Sequence, residues 1–366
     1  MGEWKECKLG DVLEDGSCVI KNNLREPLSK MQRSQRKNGA LYPYYGAASA
    51  IDYINDFKFD GFHLLIAEDG TVTSNGVAPM LQLVDGKFWV SNHAHILQCK
   101  SKWQTIFLYF LLLNVDINPF ITGAVQPKLN KANLLKIPLF LPEDKNEQEA
   151  IASVLSSLDD KIDLLHRQNK TLESVAETLF RQWFVEEAKE DWEEGCLGDV
   201  IELMYGKGLK QEIRTGSGFP VVGSSGIVGY HSESLVEGPG IVIGRKGTLG
   251  KVIYLFENFF PIDTTYYVKS KVESVGLLYE YFLLKTLNFE DMNSDSAVPG
   301  LNRDLALSTE IKIPPLEILQ DFNDFTSVFV NKLNTNQTQI RTLEKLRDTL
   351  LPKLMSGEVR IGAAYV

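Results

Sequence analysis

The chain has 366 residues, 44% of them hydrophobic and 23% charged, a composition typical of a soluble globular protein with room for about two domains. The formal net charge of -10 argues against a protein that coats DNA with a uniformly basic surface. No apolar run in the sequence approaches the ~20 residues that span a bilayer. The N-terminal "MGEWKECK" contains neither a signal core nor a myristoylation signal, so we expect a cytoplasmic protein.

The opening motif, "WKECKLGDV" at residues 4–12, recurs as "WEEGCLGDV" at residues 192–200. Three further motif pairs follow in the same order in both halves. Many of the residues shared between the halves are glycines, which mark turns rather than side-chain chemistry. The sequence therefore predicts that one unit of about 175 residues is duplicated. The pairs are "YPYYGA" with "FPVVGS", "AVQPKLN" with "AVPGLN", and "TLESVAETLF" with "TLEKLRDTLL".

A basic segment at residues 21–37 is the first candidate binding site, because it is rich in Lys and Arg within an acidic chain. At an offset of 177 residues, three of its basic positions are basic again in the second copy. A solvated surface would explain one such loop, but its recurrence favours contact with nucleic-acid phosphates. The candidates are Lys30, Arg33, Arg36 and Lys37 in the first copy and Lys207, Lys210 and Arg214 in the second.

A second candidate is the pair of loop tips "AEDGTV" and "GRKGTL", which share Gly-Thr but carry opposite charges before it. Acidic side chains accept a hydrogen bond from cytosine, whereas arginine donates two to guanine. The tips thus suit two readers of different sequences, although ordinary surface divergence explains them nearly as well. The residues are Glu68, Asp69 and Thr71 in the first copy and Arg245, Lys246 and Thr248 in the second.

No catalytic or metal-binding pattern emerges from the sequence. "GRKGTLGK" is glycine-rich, but Arg245 and Val252 stand where a phosphate-binding P-loop needs Gly and Ser or Thr. His93 and His95 lack an acidic or thiol partner nearby, which favours a packing role over metal binding. The cysteines show no paired spacing, so we expect all four to be reduced and structural. They are Cys7, Cys18, Cys99 and Cys196.

Each copy ends in a long segment with apolar residues at alternating spacings of three and four, the pattern of a helix that pairs with another helix. Packing of each helix on its own domain is the alternative, but a seam this regular in both copies favours pairing. A polar Asn169 on the seam would fix the register. The predicted pairing residues are Leu155, Leu158, Ile162, Leu165, Asn169, Leu172, Leu179 and Trp183, with Leu333, Ile340, Leu343, Leu350 and Leu354 in the second helix.

Together these motifs resemble the specificity (HsdS) subunit of type I restriction–modification systems over essentially the whole chain. "TLFRQWFV" and "LRDTLLPKLMSGEVRI" are the most specific signals. The resemblance implies a mixed α/β fold with pseudo-two-fold symmetry. It implies target-recognition domains at residues 1–144 and 188–316, separated by antiparallel coiled-coil helices at 145–187 and 317–366.

The resemblance also implies the function. Each domain would read one half of a bipartite DNA site, and the helices would set the spacing and dock two modification subunits. S-adenosylmethionine, ATP and Mg would enter only with the modification and restriction subunits, so this chain would be non-catalytic and without a cofactor of its own. Two alternatives stay open: a duplicated coiled-coil scaffold that binds protein, and a specificity module that serves a single-chain restriction enzyme.

Overall fold

The computed structural model describes residues 3–123, 125–272, 276–289, 292 and 300–361. The chain forms two compact units, the first built from two stretches of sequence and the second from one. Each unit contains part of both long helices of the chain. Unit 1 comprises Met1–Leu164 with Ile340–Val366, and unit 2 comprises Leu165–Gln339. Within the described residues, no helix is both long and apolar enough to cross a membrane.

The first half of the chain contains nine strands and five helices in the described residues. The strands are β1 (Trp4–Lys8), β2 (Cys18–Ile20), β3 (Tyr42–Tyr45), β4 (Ala50–Ile54), β5 (His63–Ala67), β6 (Leu81–Val84), β7 (Trp89–Val90), β8 (Ala94–Cys99) and β9 (Pro138–Pro142). The helices are α1 (Leu9–Glu14), α2 (Lys30–Ser34), α3 (Lys102–Leu113), α4 (Lys131–Leu134) and α5 (Lys145–Arg181), the last extended by a π-helical turn at Gln182–Glu186.

The second half begins again with a strand and a short helix. Its strands are β10 (Glu193–Cys196), β11 (Ile201–Tyr205), β12 (Phe219–Gly223), β13 (Gly226–His231), β14 (Gly240–Gly244), β15 (Val252–Leu255), β16 (Phe260–Pro261), β17 (Thr265–Ser270) and β18 (Glu310–Ile313). Its helices are α6 (Leu197–Val200), α7 (Leu278–Thr286), α8 (Arg303–Leu307) and α9 (Leu316–Met355). Short 3-10 turns lie at Asn22–Leu24, Asn118–Phe120 and Gln211–Ile213.

The two halves have the same sheet topology. In the first, the strand orders are β2-β8-β5-β6, β4-β3-β7 and β1-β9; in the second they are β11-β17-β14-β15, β13-β12-β16 and β10-β18. Each three-stranded sheet even repeats one parallel pairing, β3 with β7 and β12 with β16. The predicted duplication is confirmed. Of the third motif pair, Ala124 and residues 297–299 lie outside the described residues.

Each four-stranded sheet packs one face against a helix. Every residue of β5 and of β14 is buried, as expected for a strand with apolar cover on both sides. In unit 1, α3 joins this core through Phe107 and Leu111, and in unit 2 α7 does so through Phe282 and Leu284. The sheets therefore hold their connecting loops on a rigid base.

The long helices α5 and α9 contact each other within each unit. In unit 1, Ile151 and Leu155 of α5 share a core with Leu354 of α9. In unit 2, Phe180 of α5 lies 5.8 Å from Phe322 of α9, ring centroid to ring centroid. In both units, later residues of α5 meet earlier residues of α9, so the paired segments run antiparallel.

The predicted seam is buried in part. Its fully buried members are Leu155, Ile162, Leu165, Ile340 and Leu354. The others are half-buried: Leu158, Asn169, Leu172, Leu179, Trp183, Leu333, Leu343 and Leu350. Phe180, which lies off that seam, is only 2% exposed. It packs on α7 as well as α9, so the C-terminal end of α5 also serves the core of the second α/β domain.

The prediction that all cysteines are reduced is wrong for two of them. Cys18 and Cys99 are directly opposite each other in the β2–β8 pair and form a disulfide. They are separated by 81 positions in the chain, and only the strand register brings them together. Cys7 and Cys196 are free thiols.

Candidate functional site

The loop after β5 is fixed by main-chain contacts to the segment before α4. The Leu129 amide donates to the carbonyl oxygen of Glu68 at 2.8 Å, and Asp69 forms a β-bridge with Lys128. The His95 ring on β8 closes the arrangement through a 2.7 Å contact between its Nε2 and the Leu129 oxygen. The loop tip is thus tied to the "KLN" part of the third motif.

The second copy builds the same frame from different side chains. The Leu301 amide donates to the oxygen of Arg245 at 2.9 Å, and Lys246 forms a β-bridge with Gly300. The Tyr266 hydroxyl takes the place of the histidine and donates to the Leu301 oxygen at 3.1 Å. The backbone of the two tips is therefore equivalent, and only the side chains differ.

Each tip requires a left-handed residue at its shared glycine. Gly70 has φ 72° and Gly247 has φ 83°, a conformation that a side chain disfavours. Thr71 and Thr248 follow and are exposed. We define the first tip site as Asn22, Arg25, Glu68, His95 and Lys128, and the second tip site as Tyr205, Arg245, Lys246, Tyr266 and Arg303.

Glu68 is the centre of the first tip site. Its carboxylate accepts from Arg25 Nη1 at 2.5 Å and lies 3.3 Å from Lys128 Nζ, and its side chain is only 12% exposed. Burial on its own raises the pKa of Glu68. The hydrogen bond from Arg25 and the nearby positive charges outweigh burial, so the pKa lies below its ordinary value. Glu68 is therefore an ionised carboxylate at neutral pH.

His95 is a neutral, structural histidine. It is fully buried, and burial lowers its pKa despite the opposing effects of the Leu129 carbonyl and Glu68. The Asn22 amide lies 2.7 Å from Nδ1 and Nε2 faces a carbonyl, which together assign the proton to Nε2. These contacts agree with the packing role expected of His95, whereas His93 is 49% exposed and lies against Asp69.

The second tip site is basic and aromatic. The Arg245 guanidinium lies 4.9 Å from the ring centroid of Tyr205 and 5.6 Å from that of Tyr266, and Arg303 lies 5.8 Å from the Tyr205 ring. Arg245 donates to the main-chain oxygen of Asp263 at 3.1 Å. Burial, with the neighbouring Tyr205 hydroxyl, raises the pKa of Tyr266 to about 12, so the ring stays neutral.

Asp69 and Lys246 occupy the same position in the two frames but have different surroundings. Asp69 lies 2.7 Å from Nδ1 of the exposed His93. Lys246 is exposed, and no ion pair involving it occurs in the part of the chain that the structure describes. The charge reversal seen in the sequence therefore persists in the folded sites.

The basic segment has a different geometry from that predicted. Arg33 binds Asp52 on β4 through Nε at 2.9 Å and donates Nη1 to the Leu28 oxygen at 2.6 Å. Arg214 donates to the oxygens of Val228 on β13 and of Leu209, each at 3.0 Å. Both arginines thus clamp a short turn to the second strand of a hairpin.

These contacts correct the predicted equivalence of the basic positions. Arg33 corresponds to Arg214, an offset of 181 rather than 177, because the second copy has four fewer residues between this arginine and the next strand. The match of Lys30, Arg33 and Lys37 with Lys207, Lys210 and Arg214 was a coincidence of register. Recurrence of three basic positions therefore no longer supports phosphate contact.

The remaining basic candidates divide into paired and exposed residues. Arg36 binds Asp56 at 2.7 Å, and Lys37 binds Asp52. Lys37 and then Arg33 lower the pKa of Asp52 to about 2. Lys30, Lys207 and Lys210 are exposed, with no side-chain ion pair in the described ranges, so these three lysines are the ones available to a ligand.

Sequence reasoning found the tip residues but missed their partners. Arg25 and Lys128 are 43 and 60 positions from Glu68; one lies in the basic segment and the other in a repeated motif, but nothing in the sequence places either beside Glu68. The "KLN" and "GLN" motifs were noticed as repeats, and their adjacency to the tips was the signal that could have located Lys128 and Arg303.

Comparison with known proteins gives one consistent family. A family model described as the type I restriction modification DNA specificity domain matches residues 1–174 and 189–345. A putative type I restriction enzyme specificity subunit of Haemophilus influenzae is 36% identical over 156 residues, which cover 43% of this chain and only 37% of that protein. A type I restriction enzyme specificity subunit of Methanocaldococcus jannaschii is 28% identical over 301 residues, 70% of this chain and 69% of that protein.

The fold is also similar to a solved structure. The crystal structure of the S subunit of a type I restriction-modification system from M. genitalium superposes with a TM-score of 0.69 at 20% identity, covering 96% of each chain. At this identity the likeness concerns the fold.

Proposed function

The chain belongs to the family of type I restriction–modification specificity subunits, and from that premise we propose that each of its two α/β domains reads one half of a bipartite DNA site. The observation that carries the proposal is the pair of tip sites. Two copies hold the same loop on the same main-chain contacts, while the side chains at the tip change from Glu68 to Arg245. Two domains that bind different half-sites require this combination of a fixed frame and variable side chains.

The candidate DNA contacts follow from the site geometry. The tip residues are Asp69, Thr71, Arg245, Lys246 and Thr248, and the exposed lysines are Lys30, Lys207 and Lys210; Glu68 is instead bound to Arg25 and Lys128. Arg33, Arg36, Lys37 and Arg214 bind their own domain and would act by positioning loops. This division follows from their ion pairs and hydrogen bonds, and a paired arginine has fewer donors left for DNA.

We propose further that α5 and α9 form the antiparallel coiled-coil spacer between the half-site readers and that they dock two modification subunits. Contacts between the helices in both units support this assignment. The chain would contribute no chemistry of its own, and S-adenosylmethionine, ATP and Mg would be bound by the modification and restriction subunits.

An apolar surface on α5 and α9 in unit 2 is the proposed docking point for one modification subunit. Phe325 is 51% exposed and Val328 67% exposed, and Phe325 stacks on Trp183 with ring centroids 6.2 Å apart. Exposed apolar surface of this kind is typical of protein interfaces. Phe325→Glu with Val328→Glu is expected to abolish binding of the purified modification subunit. Leu235→Glu, at an exposed apolar residue between β13 and β14, is the control.

The decisive experiment is single-molecule methylome sequencing of the host with and without this gene. Loss of one bipartite adenine-methylation motif is the expected result, and an unchanged methylome would contradict the proposal. A chimaera in which residues 188–316 come from a relative with a different motif should alter one half-site and leave the other intact. If the complex of this chain with the modification subunit does not bind DNA at any salt concentration, the protein-binding scaffold is favoured instead.

A further inference from the structure

The two tip sites differ in whether the tip loop carries a carboxylate. In the first, Arg25 and Lys128 share the carboxylate of Glu68, which belongs to the tip itself. In the second, the same main-chain position carries Arg245, so the carboxylate is replaced by a cation. The first tip site thus contains its own anion, the Glu68 carboxylate, and the second tip site has no equivalent carboxylate on its loop.

The second tip site gathers positive charge without an equivalent internal anion. Arg245 and Arg303 approach the same Tyr205 ring, and the exposed Lys246 is next to Arg245 in sequence. Within the described residues, the carboxylate paired with this group is Asp304, whose oxygen lies 3.9 Å from Arg303 Nε and whose side chain is 95% exposed. A solvated carboxylate at that distance screens the repulsion between two guanidinium groups only weakly.

Arg303 also has an unused donor. Its Nε is buried and has no hydrogen-bond partner among the described residues, which is unfavourable for a charged group. The rest of the side chain is 42% exposed, so it is accessible from solvent. A charged donor that is unpaired on one side and reachable from solvent on the other suits the binding of an anion.

We infer that the second tip site binds a phosphodiester group of the DNA backbone, and that Glu68 is an internal counter-ion that keeps the first tip site from binding one. The inference rests on the proposed function as a DNA-specificity subunit. It adds that the two domains hold DNA unequally, with the second tip contributing sequence-independent affinity that the first lacks.

A phosphate fits the second tip site better than a base edge. Nη1 of Arg245 donates to the Asp263 oxygen, and the donors that remain on Arg245 lie close to a second guanidinium, that of Arg303. The guanidinium groups of Arg245 and Arg303, 4.9 and 5.8 Å from the same Tyr205 ring centroid, suit a tetrahedral group of oxygens with a negative charge. The tyrosine rings hold Arg245 in place and add no base-specific contact.

The test uses the complex of the full chain with its modification subunit, bound to cognate DNA and to non-cognate DNA of equal length over a range of salt concentrations. Arg245→Gln with Arg303→Gln should weaken binding to both DNAs by the same factor, about tenfold, and reduce the salt slope by about 1. Lys312→Gln, at an exposed lysine of β18, is the matched control. The methylated motif should stay the same.

The converse variant is Glu68→Gln, which removes the negative charge that faces Arg25 and Lys128 while keeping the shape of the side chain. It should strengthen binding to both DNAs and increase the salt slope by about 1. Asp85→Asn removes the same charge from an exposed position of unit 1 that is paired with Lys102, and it should leave the slope unchanged.

Several outcomes would overturn the inference. A changed methylation motif in the arginine variant would make Arg245 a base reader, and an unchanged salt slope would exclude a phosphate contact. Weaker binding by Glu68→Gln would make Glu68 itself a DNA contact. If the arginine variant fails to fold, as judged by thermal unfolding, Lys246→Gln at the exposed tip carries the same slope test. Failure of the wild-type complex to bind DNA at all would instead reject the proposed function.

Discussion

Asn336 donates its side-chain amide to the side-chain oxygen of Asn169 over 2.8 Å, and this bond joins α9 to α5 inside unit 2. Asn336 is fully buried, and its own side-chain oxygen has no partner among the described residues. A polar pair in an otherwise apolar helix interface costs stability but accepts only one alignment of the helices. Unit 1 has a comparable cross-helix bond from Arg347 to Asp159, at 2.9 Å.

The asparagine pair predicts a non-additive effect of mutation. Asn169→Leu alone should destabilise the protein by about 1–3 kcal/mol, because it leaves the buried Asn336 amide without an acceptor. Asn169→Leu with Asn336→Leu should recover that loss, since both polar groups are gone. Urea unfolding of the two single variants and the double variant measures the coupling. Asn331→Leu, at an exposed position of α9, serves as the control, and additive effects would contradict a direct bond.

Arg33 and Lys30 should have separable effects although they lie three residues apart. Arg33→Ala removes the bonds to Asp52 and to the Leu28 oxygen and should lower stability by about 1.5–3 kcal/mol. Lys30→Ala, at an exposed residue, should leave stability unchanged and weaken DNA binding by the complex equally for all sequences. Thermal unfolding and a salt titration of binding distinguish the two. A loss of stability in Lys30→Ala would reject this division.

The same division is expected in the second copy. Arg214→Ala should destabilise unit 2, whereas Lys207→Ala should affect only binding. If Arg214→Ala unfolds nothing but abolishes binding, the corrected alignment of Arg33 with Arg214 would be wrong.

Protein stability should fall as the pH is lowered from about 7 to 5. Burial lowers the pKa of His95 and of His63, so both stay neutral in the folded state while the unfolded chain takes up protons near pH 6.5. The two neutral histidines stabilise the fold above about pH 6.5. This stabilisation is lost as the pH falls from there toward the pKa of each histidine in the folded protein. Each histidine contributes a slope of up to about 1.4 kcal/mol per pH unit.

His95→Gln isolates one of these contributions. The variant should reduce the slope of the unfolding free energy against pH between 7 and 5 by up to about 1.4 kcal/mol per pH unit, the contribution of one proton. His166→Gln, at an exposed position of α5, is the control. A slope that is identical in His95→Gln and the wild type would mean that His95 does not resist protonation in the fold.

The spacer proposal predicts the effect of a matched deletion. Removal of residues 160–166 from α5 and of 338–344 from α9 takes one heptad from each helix and leaves the Asp159–Arg347 and Asn169–Asn336 pairs in phase. Methylome sequencing should then show a different gap between half-sites that are themselves unchanged. Deletion from α5 alone shifts the pairing of α5 with α9 by one heptad and should abolish DNA methylation by the complex. Altered half-site sequences would contradict a spacer role.

The duplication was predictable because both copies keep glycines and short apolar motifs. These residues are required by the local backbone conformation of turns and strands, which a sequence shows directly. The tip sites were predictable only at Glu68, Arg245 and Lys246, where the loop itself carries the charge. Their partners come from distant strands and turns that the sheet brings together. Arg33 was matched with Lys210 instead of Arg214 for a related reason: a fixed offset cannot detect a loop that is shorter by four residues. The hydrogen bonds to the Leu28 and Leu209 oxygens identify the equivalent arginines.

Unit 1 contains residues from both ends of the chain, since Leu354 and Met355 complete its core and Arg360 binds Glu147 at 2.8 Å. On the ribosome, the first domain would therefore leave the exit tunnel with part of its apolar surface uncovered until the last residues are made. A premature stop codon near residue 340 would damage the domain encoded first, while unit 2, Leu165–Gln339, would already be complete in sequence. The order in which the halves are translated is thus the reverse of the order in which they can finish folding.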